Sequence, residues 1–227
     1  MTLPAGAVNP ATAERLLALA DAFGLTPERP GGGINGFDST PGHEGEHRLL
    51  DREQLVHALA TGTCSTNLWT RSEEDVLLTT RPGEATVTLS LNSVYCRRIP
   101  DARAEPFRHL HRLLTNLWEA IADETGALFG RVEDEWSLEQ IWSGLPEPFS
   151  GDAPPPAGSW PDRLGWWTYF GADRLLPPLP AELGAVRRTR REAAVVVLLD
   201  DPAAVDPLRF ARLHREYRRA VGSGLTS

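Results

Sequence analysis

No lysine occurs among the 227 residues; all 23 basic side chains are arginines. That absence excludes Schiff-base chemistry, a pyridoxal-phosphate anchor and a Walker-type phosphate loop, each of which needs a lysine amine. Cysteine is nearly missing too, and Cys64 and Cys96 alone cannot build a disulfide framework. The longest apolar run, Ala193 to Leu199, is far too short to span a bilayer. The opening residues MTLPAGAVNPATAERLL lack the positive start and apolar core of a secretion signal. Together these absences point to a soluble chain in a reducing, cytoplasmic setting, with no membrane partner.

What is present is an ordinary globular composition, 41% hydrophobic and 24% charged, in a chain long enough for one well-buried core. A single domain over residues 1–227 is the expectation. The formal net charge is −8, unevenly spread. From Arg187 to Arg219 nine arginines face five acids, and the rest of the chain carries the acidity. An acidic bulk argues against direct nucleic-acid binding and attracts a basic partner.

Asn9 and Pro10 announce a first helix, with Leu16, Leu17, Ala20 and Phe23 on one face and Gly24 as its stop. Residues 26–47, rich in glycine and proline and without apolar period, read as a long flexible loop. Asp51 and Gln54 form the capping pattern of a second helix that ends at Gly62. Strands are expected over 67–70, 75–80 and 84–92, the last two joined as a hairpin through Arg81-Pro82-Gly83. Phe107, Leu110, Leu113, Leu114, Leu117, Trp118 and Ile121 give the strongest helical period, over 105–125. A strand over 127–132, a short helix through Trp142 and a proline-rich connection over 144–161 follow. Gly165 to Phe170 reads as a strand and Glu192 to Leu199 as a strand buried on both faces. A last helix starts at Asp206-Pro207, with Leu208, Ala211, Tyr217 and Val221 inward and arginines outward. Strands and helices mix without regular alternation, so the fold class is α+β, a mixed, largely antiparallel sheet with helices mainly on one face.

Several short patterns bear on chemistry. His43-Glu44-Gly45-Glu46-His47 matches the zinc-protease pattern, in which two histidines one helical turn apart hold the metal and the glutamate activates water. Pro41-Gly42 before it and Gly45 within it oppose the required helix, so a metal site at His43, Glu44 and His47 is the alternative reading only. Gly31 to Gly36 satisfies the dinucleotide-binding glycine pattern, but no buried strand precedes it. His109 and His111, two residues apart on a helix, cannot share a ligand face. Neither cysteine has a neighbour that marks a nucleophile. No catalytic residue and no cofactor is assigned. The acidic run Glu133-Asp134-Glu135, extended by Glu139 and flanked by Trp136, suits a docking surface for a basic partner or, equally, a solvated turn ahead of a helix. An arginine-lined C-terminal helix offers a further binding surface at Arg215 and Arg218.

The order of Asn67-Leu68-Trp69, the leucine-tryptophan helix, Gly165-Trp166-Trp167-Thr168-Tyr169-Phe170, the run Leu175 to Pro180 and a terminal strand and helix resembles the immunity protein 52 family over residues 64–221. The resemblance implies a non-catalytic bacterial immunity protein that binds and neutralises a cognate polymorphic toxin. On that reading the acidic run supplies the expected partner contacts, Glu133, Asp134, Glu135, Trp136 and Glu139, and the acidic surface suits a toxin that is basic.

Overall fold

The computed structural model describes residues 1–91, 105–145, 153–174, 183–201 and 206–223. The chain divides into two compact units where the sequence reads as one domain: Met1–Arg98 with Asn116–Thr125, and Ile99–Thr115 with Gly126–Ser227. The α+β class holds, and among the described residues the strands fall into two antiparallel sheets, of five and four strands.

In the N-terminal unit α1 (Pro10–Ala22) is capped by Asn9, whose side chain accepts from the Thr12 amide. α2 (Arg52–Thr61) carries the full reciprocal capping box of Asp51 and Gln54. The sheet runs β2-β1-β3-β4-β5, with β1 (Ile34–Asp38), β2 (His47–Leu50), β3 (Cys64–Trp69), β4 (Asp75–Arg81) and β5 (Thr86–Leu91). Residues 1–3 continue it beyond β5, where the Leu3 amide donates to Ala85 and the Val87 amide to Met1. A 3-10 turn over Pro82–Glu84 makes the expected β4–β5 hairpin. α2 lies on β1, β3 and β4, and α1 on α2. Leu16, Leu17, Leu55, Leu59, Leu68, Val76, Leu78 and Val87, each at most 1% exposed, fill the space between.

The expected loop over 26–47 is therefore partly sheet. β1 escapes a propensity reading because Asn35, Gly36 and Asp38 are strand-poor residues. Gly36 is there for packing: a Cβ at this position would sit 2.6 Å from Leu50 Cδ1 of the neighbouring strand. The buried Asp38 carboxylate, which pairs with Arg48 of β2 and accepts from the Thr40 amide at 2.7 Å, closes the hairpin.

α3 (Glu105–Thr125) has the predicted bounds; its residues 116–125 belong to the first unit and the rest to the second. The C-terminal unit orders its sheet β6-β7-β9-β8, with β6 (Phe129–Val132), β7 (Trp167–Phe170), β8 (Ala185–Arg188) and β9 (Ala194–Val197). β9 is buried along its whole length, as its all-apolar composition predicts. β8, unforeseen, is an edge strand of the sequence Ala-Val-Arg-Arg, whose arginines suit an unpaired edge. α4 (Glu135–Ile141) packs on α5 (Pro207–Ser223). Leu208 is 73% exposed rather than inward. The buried stripe is Phe210, Leu213, His214 and Tyr217, and Leu208 lies two residues, about 200°, from Phe210 around the helix. The Leu175 to Pro180 run, Cys96 and residues 146–152 of the proline-rich connection lie outside the described residues. No described helix is long and apolar enough to cross a membrane.

Gly62 ends α2 at φ 68°, and a Cβ there would meet Pro82 Cδ at 2.5 Å. Gly62→Ala is therefore expected to lose about 2 kcal/mol of stability through left-handed strain and this clash, read as a lowered midpoint at unchanged slope in urea unfolding.

Candidate functional site

Residues 39–46 connect β1 to β2 through successive turns, with the His43 amide 3.0 Å from the Thr40 carbonyl and the Glu46 amide 3.0 Å from the His43 carbonyl. The helix that would put two histidines on one face is not formed. His43 Nδ1 lies 3.0 Å from Glu46 Oε1, His47 Nε2 lies 2.9 Å from Asn35 Oδ1, and the Gly42 amide donates to Glu44 at 2.9 Å. Pro41-Gly42 and Gly45 turn the chain instead of coiling it. Among the described residues no group of three or more His, Cys, Asp or Glu is placed to hold a metal ion. Gly31 to Gly36 runs into β1, so the glycine pattern has no strand-to-helix turn around it. Cys64 is buried, and that burial pushes its thiol pKa up despite the opposing pull of Arg48, the reverse of nucleophile activation. On α3, His109 is exposed and His111 buried.

The acidic run has its own structural work. Asp134 is the N-cap of α4 and accepts from the Ser137 amide at 2.6 Å. Burial raises its pKa, and Glu133 and Glu135 add to the rise, while hydrogen bonds from Ser137 oppose it. Glu133 receives a fork from Arg163, Nη2 at 3.2 Å and Nε at 3.3 Å, and has Arg131 Nε at 3.7 Å. The Arg163 side chain is only 7% exposed, so Glu133 neutralises a guanidinium that has lost most of its water. Trp136 is half-buried, and of the five predicted contact residues Glu135 and Glu139 alone are exposed. The structure thus brings the five together around one helix start, but turns Glu133 and Asp134 inward.

The aromatic segment is core. Trp166 Nε1 donates to Ser137 Oγ and Trp167 Nε1 to the Leu199 carbonyl, both at 3.0 Å. Arg187 of β8 covers the Trp167 ring at 4.7 Å. Trp160 meets Phe170 and Tyr217 edge to face, with centroids 5.6 and 6.0 Å apart, and the Tyr217 hydroxyl donates to the Pro161 carbonyl. Next to Tyr217 the buried His214 ring sits between it and Phe210, at 5.8 and 6.0 Å, and its Nε2 has no hydrogen-bond partner. Burial, reinforced by Arg218 and Arg163, lowers the His214 pKa to about 4.

In the N-terminal unit, strand alternation separates two faces of the five-stranded sheet. Ile34, Gly36, Cys64, Thr66, Leu68, Val76, Leu78 and Val87 are buried on the helix-bearing side. On the other side Phe37 and Leu77 are half-exposed, and His47, Leu49, Thr88 and Ser90 are exposed. Polar side chains there are already paired across strands: Asn67 Nδ2 with Asp75 Oδ2 at 2.6 Å, Ser65 with Thr79 at 2.9 Å, and His47 with Asn35. A cleft of about 350 Å³ opens on this side, lined by Phe37, Asn67, Asp75, Leu77, Ser90 and Leu91. The unit holding it, Met1–Arg98 with Asn116–Thr125, has fifteen acids against eight arginines, seven of the chain's eight excess negative charges.

Comparison with known protein families, with curated proteins and with solved structures finds no match. The site therefore stands on its geometry. The cleft residues of β4 and β5 carried a sequence signal, the period-two alternation of Asp75, Leu77 and Thr79 against Val76, Leu78 and Thr80, and of Thr88 and Ser90 against Val87, Leu89 and Leu91; β1, which supplies Phe37, carried none.

Two outcomes separate structure from docking. Glu133→Gln leaves Arg163 buried without a charge partner and is expected to cost about 3 kcal/mol, whereas Glu139→Gln on the exposed face stays within about 0.5 kcal/mol, both by denaturant unfolding. For His214 the folded pKa lies below the ordinary 6.5, so the unfolded chain takes up the proton first. Its contribution is untouched above pH 6.5, and stability falls as pH drops toward about 4, by about 3 kcal/mol when complete. Subtracting the pH profile of His214→Phe from that of the parent protein is expected to isolate this step.

Proposed function

We propose that this protein is a non-catalytic immunity protein of the bacterial cytoplasm that binds and neutralises a cognate, basic toxin. The observation that carries the reading is the half-exposed face of the five-stranded sheet in the acidic unit, where apolar side chains and pre-paired polar groups surround a shallow cleft. Strands hold such groups rigidly, so little conformational freedom is lost on docking. The excess negative charge draws a positively charged partner toward the same unit and rejects acidic ones. The sequence resemblance to the immunity protein 52 family supports the same reading. Its Trp166 to Phe170 segment now has a packing role, which leaves recognition to surfaces elsewhere.

Expression of the protein encoded next to this one, alone and together with it, tests the proposal. Growth arrest by the neighbour alone, rescue on co-expression and a co-purifying complex that weakens as salt rises are the expected results. A neighbour that is harmless, or that kills equally in both cases, overturns it.

A further inference from the structure

We infer that the protein partner docks by adding an extended strand, apolar at its centre and basic at its ends, to the open edge of the five-stranded sheet along β2. The inference rests on the partner-binding reading above and names the element that receives the partner and the chemistry that holds it.

The two edges of this sheet differ. Beyond β5 the chain covers its own edge with residues 1–3, whereas among the described residues nothing pairs with the outer side of β2. The bonding pattern fixes which groups that edge presents. The Asp38 amide donates to the Glu46 carbonyl at 2.9 Å, after which Phe37 stands opposite His47, Gly36 opposite Arg48, Asn35 opposite Leu49 and Ile34 opposite Leu50. Bonded and non-bonded pairs alternate along an antiparallel ladder, so Arg48 and Leu50 spend their amides and carbonyls on β1. The other side of β1 shows the same phase: the Ser39 amide donates away from β2, to the Thr63 carbonyl at 2.8 Å. His47 and Leu49 are left with two amides and two carbonyls directed outward, about 7 Å apart along the strand. Both residues are exposed, Leu49 to 60%.

Such an edge is a template for another strand, and proteins that do not use one blunt it with charge, proline or a cover. In β2 the single charged residue is Arg48, and its guanidinium is tied to its own sheet by the buried Asp38 carboxylate. Leu49 lies on the side of the sheet that carries Phe37 and Leu77, so a strand laid along β2 extends the half-exposed face, with main-chain bonds supplying affinity. Exposed acids stand at both ends, Glu44 and Glu46 just before β2, Asp51 and Glu53 just after it, in a unit of net charge −7. A strand with basic ends is drawn to them and an acidic one repelled. This attraction acts at a distance, so the contacts of Glu44 and Glu46 within their own turn do not remove it. A second copy of the chain fits less well. Antiparallel pairing of His47 with Leu49 between copies sets Arg48 opposite Arg48 and joins two units that each carry −7.

The test uses the full chain and the peptide N-acetyl-Arg-Thr-Val-Thr-Val-Arg-amide, followed by amide hydrogen exchange read by NMR. Saturating peptide is expected to slow exchange at His47 and Leu49 by about tenfold or more, while Arg48 and Leu50, already bonded to β1, keep their rates. The same peptide N-methylated at its four central residues keeps its charge and side chains but loses those donors, and is expected to protect neither. With glutamates in place of its two arginines the peptide is expected to bind about tenfold more weakly at low salt. Leu49→Pro removes an outward donor and no internal bond, and is expected to abolish the response. No protection at His47 and Leu49, equal protection by the methylated peptide, or equal binding of the acidic one overturns the inference. So does protection that rises with protein concentration alone, which assigns the edge to a second copy. The peptide comparisons are made on the unaltered chain and do not depend on how the variant folds. Failure here leaves co-expression rescue as it stands, while failed rescue with an intact peptide response removes the immunity reading and keeps the strand-accepting edge.

Discussion

A guanidinium taken out of water has to be neutralised where it lies, and the C-terminal unit is arranged around that requirement at Arg163. Glu133 answers it with a two-point fork, from the residue that directly precedes the N-cap of α4. Because Arg163 stands just before β7, the pair ties the start of α4 to the entry of the aromatic strand. The neighbouring contacts follow from that position. Trp160 is turned toward Phe170 and Tyr217, Asp162 meets Arg218 at 2.9 Å, and Tyr217 reaches the Pro161 carbonyl. The whole segment 160–163 is thereby stitched to α5. His214, lying among these groups, stays neutral because two guanidiniums and a dry aromatic surround all disfavour its charged form.

The N-terminal unit follows a simpler rule, strand alternation, and uses it in two ways. One set of alternate residues is mostly apolar and carries the helices, with Asp38, Thr66 and Thr80 as its buried polar members. The other set is polar with a few large apolar residues among them, and its polar members satisfy one another across the strands. Paired polar side chains keep a half-exposed sheet face rigid without demanding a cover. They also blunt its tendency to pair indiscriminately, which a wholly apolar face would have.

Legibility in the sequence tracked how local the determinant is. The bounds of α3, the capping box at Asp51, the Asp206-Pro207 start of α5 and the wholly buried β9 were readable because each is written in adjacent residues. β1 was not, since Gly36 is dictated by Leu50 on another strand, and a glycine in sequence looks the same whether it turns or packs. The acidic run was half-readable. Its helix-start role is local, through Asp134 and Ser137, but the partner of Glu133 lies thirty residues on and leaves no mark nearby. The cleft belongs to the same class of hidden feature: Phe37, Asn67 and Ser90 meet only once three registers are set.

The same contrast separates motifs from sites here. His43 to His47 has the residue types of a metal centre without the helix that would aim them, because two glycines and a proline choose turns. Phe37, Asn67, Asp75 and Leu77 match no motif, yet rigid strands hold them around one volume with a carboxylate braced by an amide. Recognition depends on such preorganisation more than on residue identity, since ordering loose groups at the moment of contact consumes much of what the contact gains. A braced carboxylate on a strand is better preorganised for recognition than a pair of imidazoles on a turn.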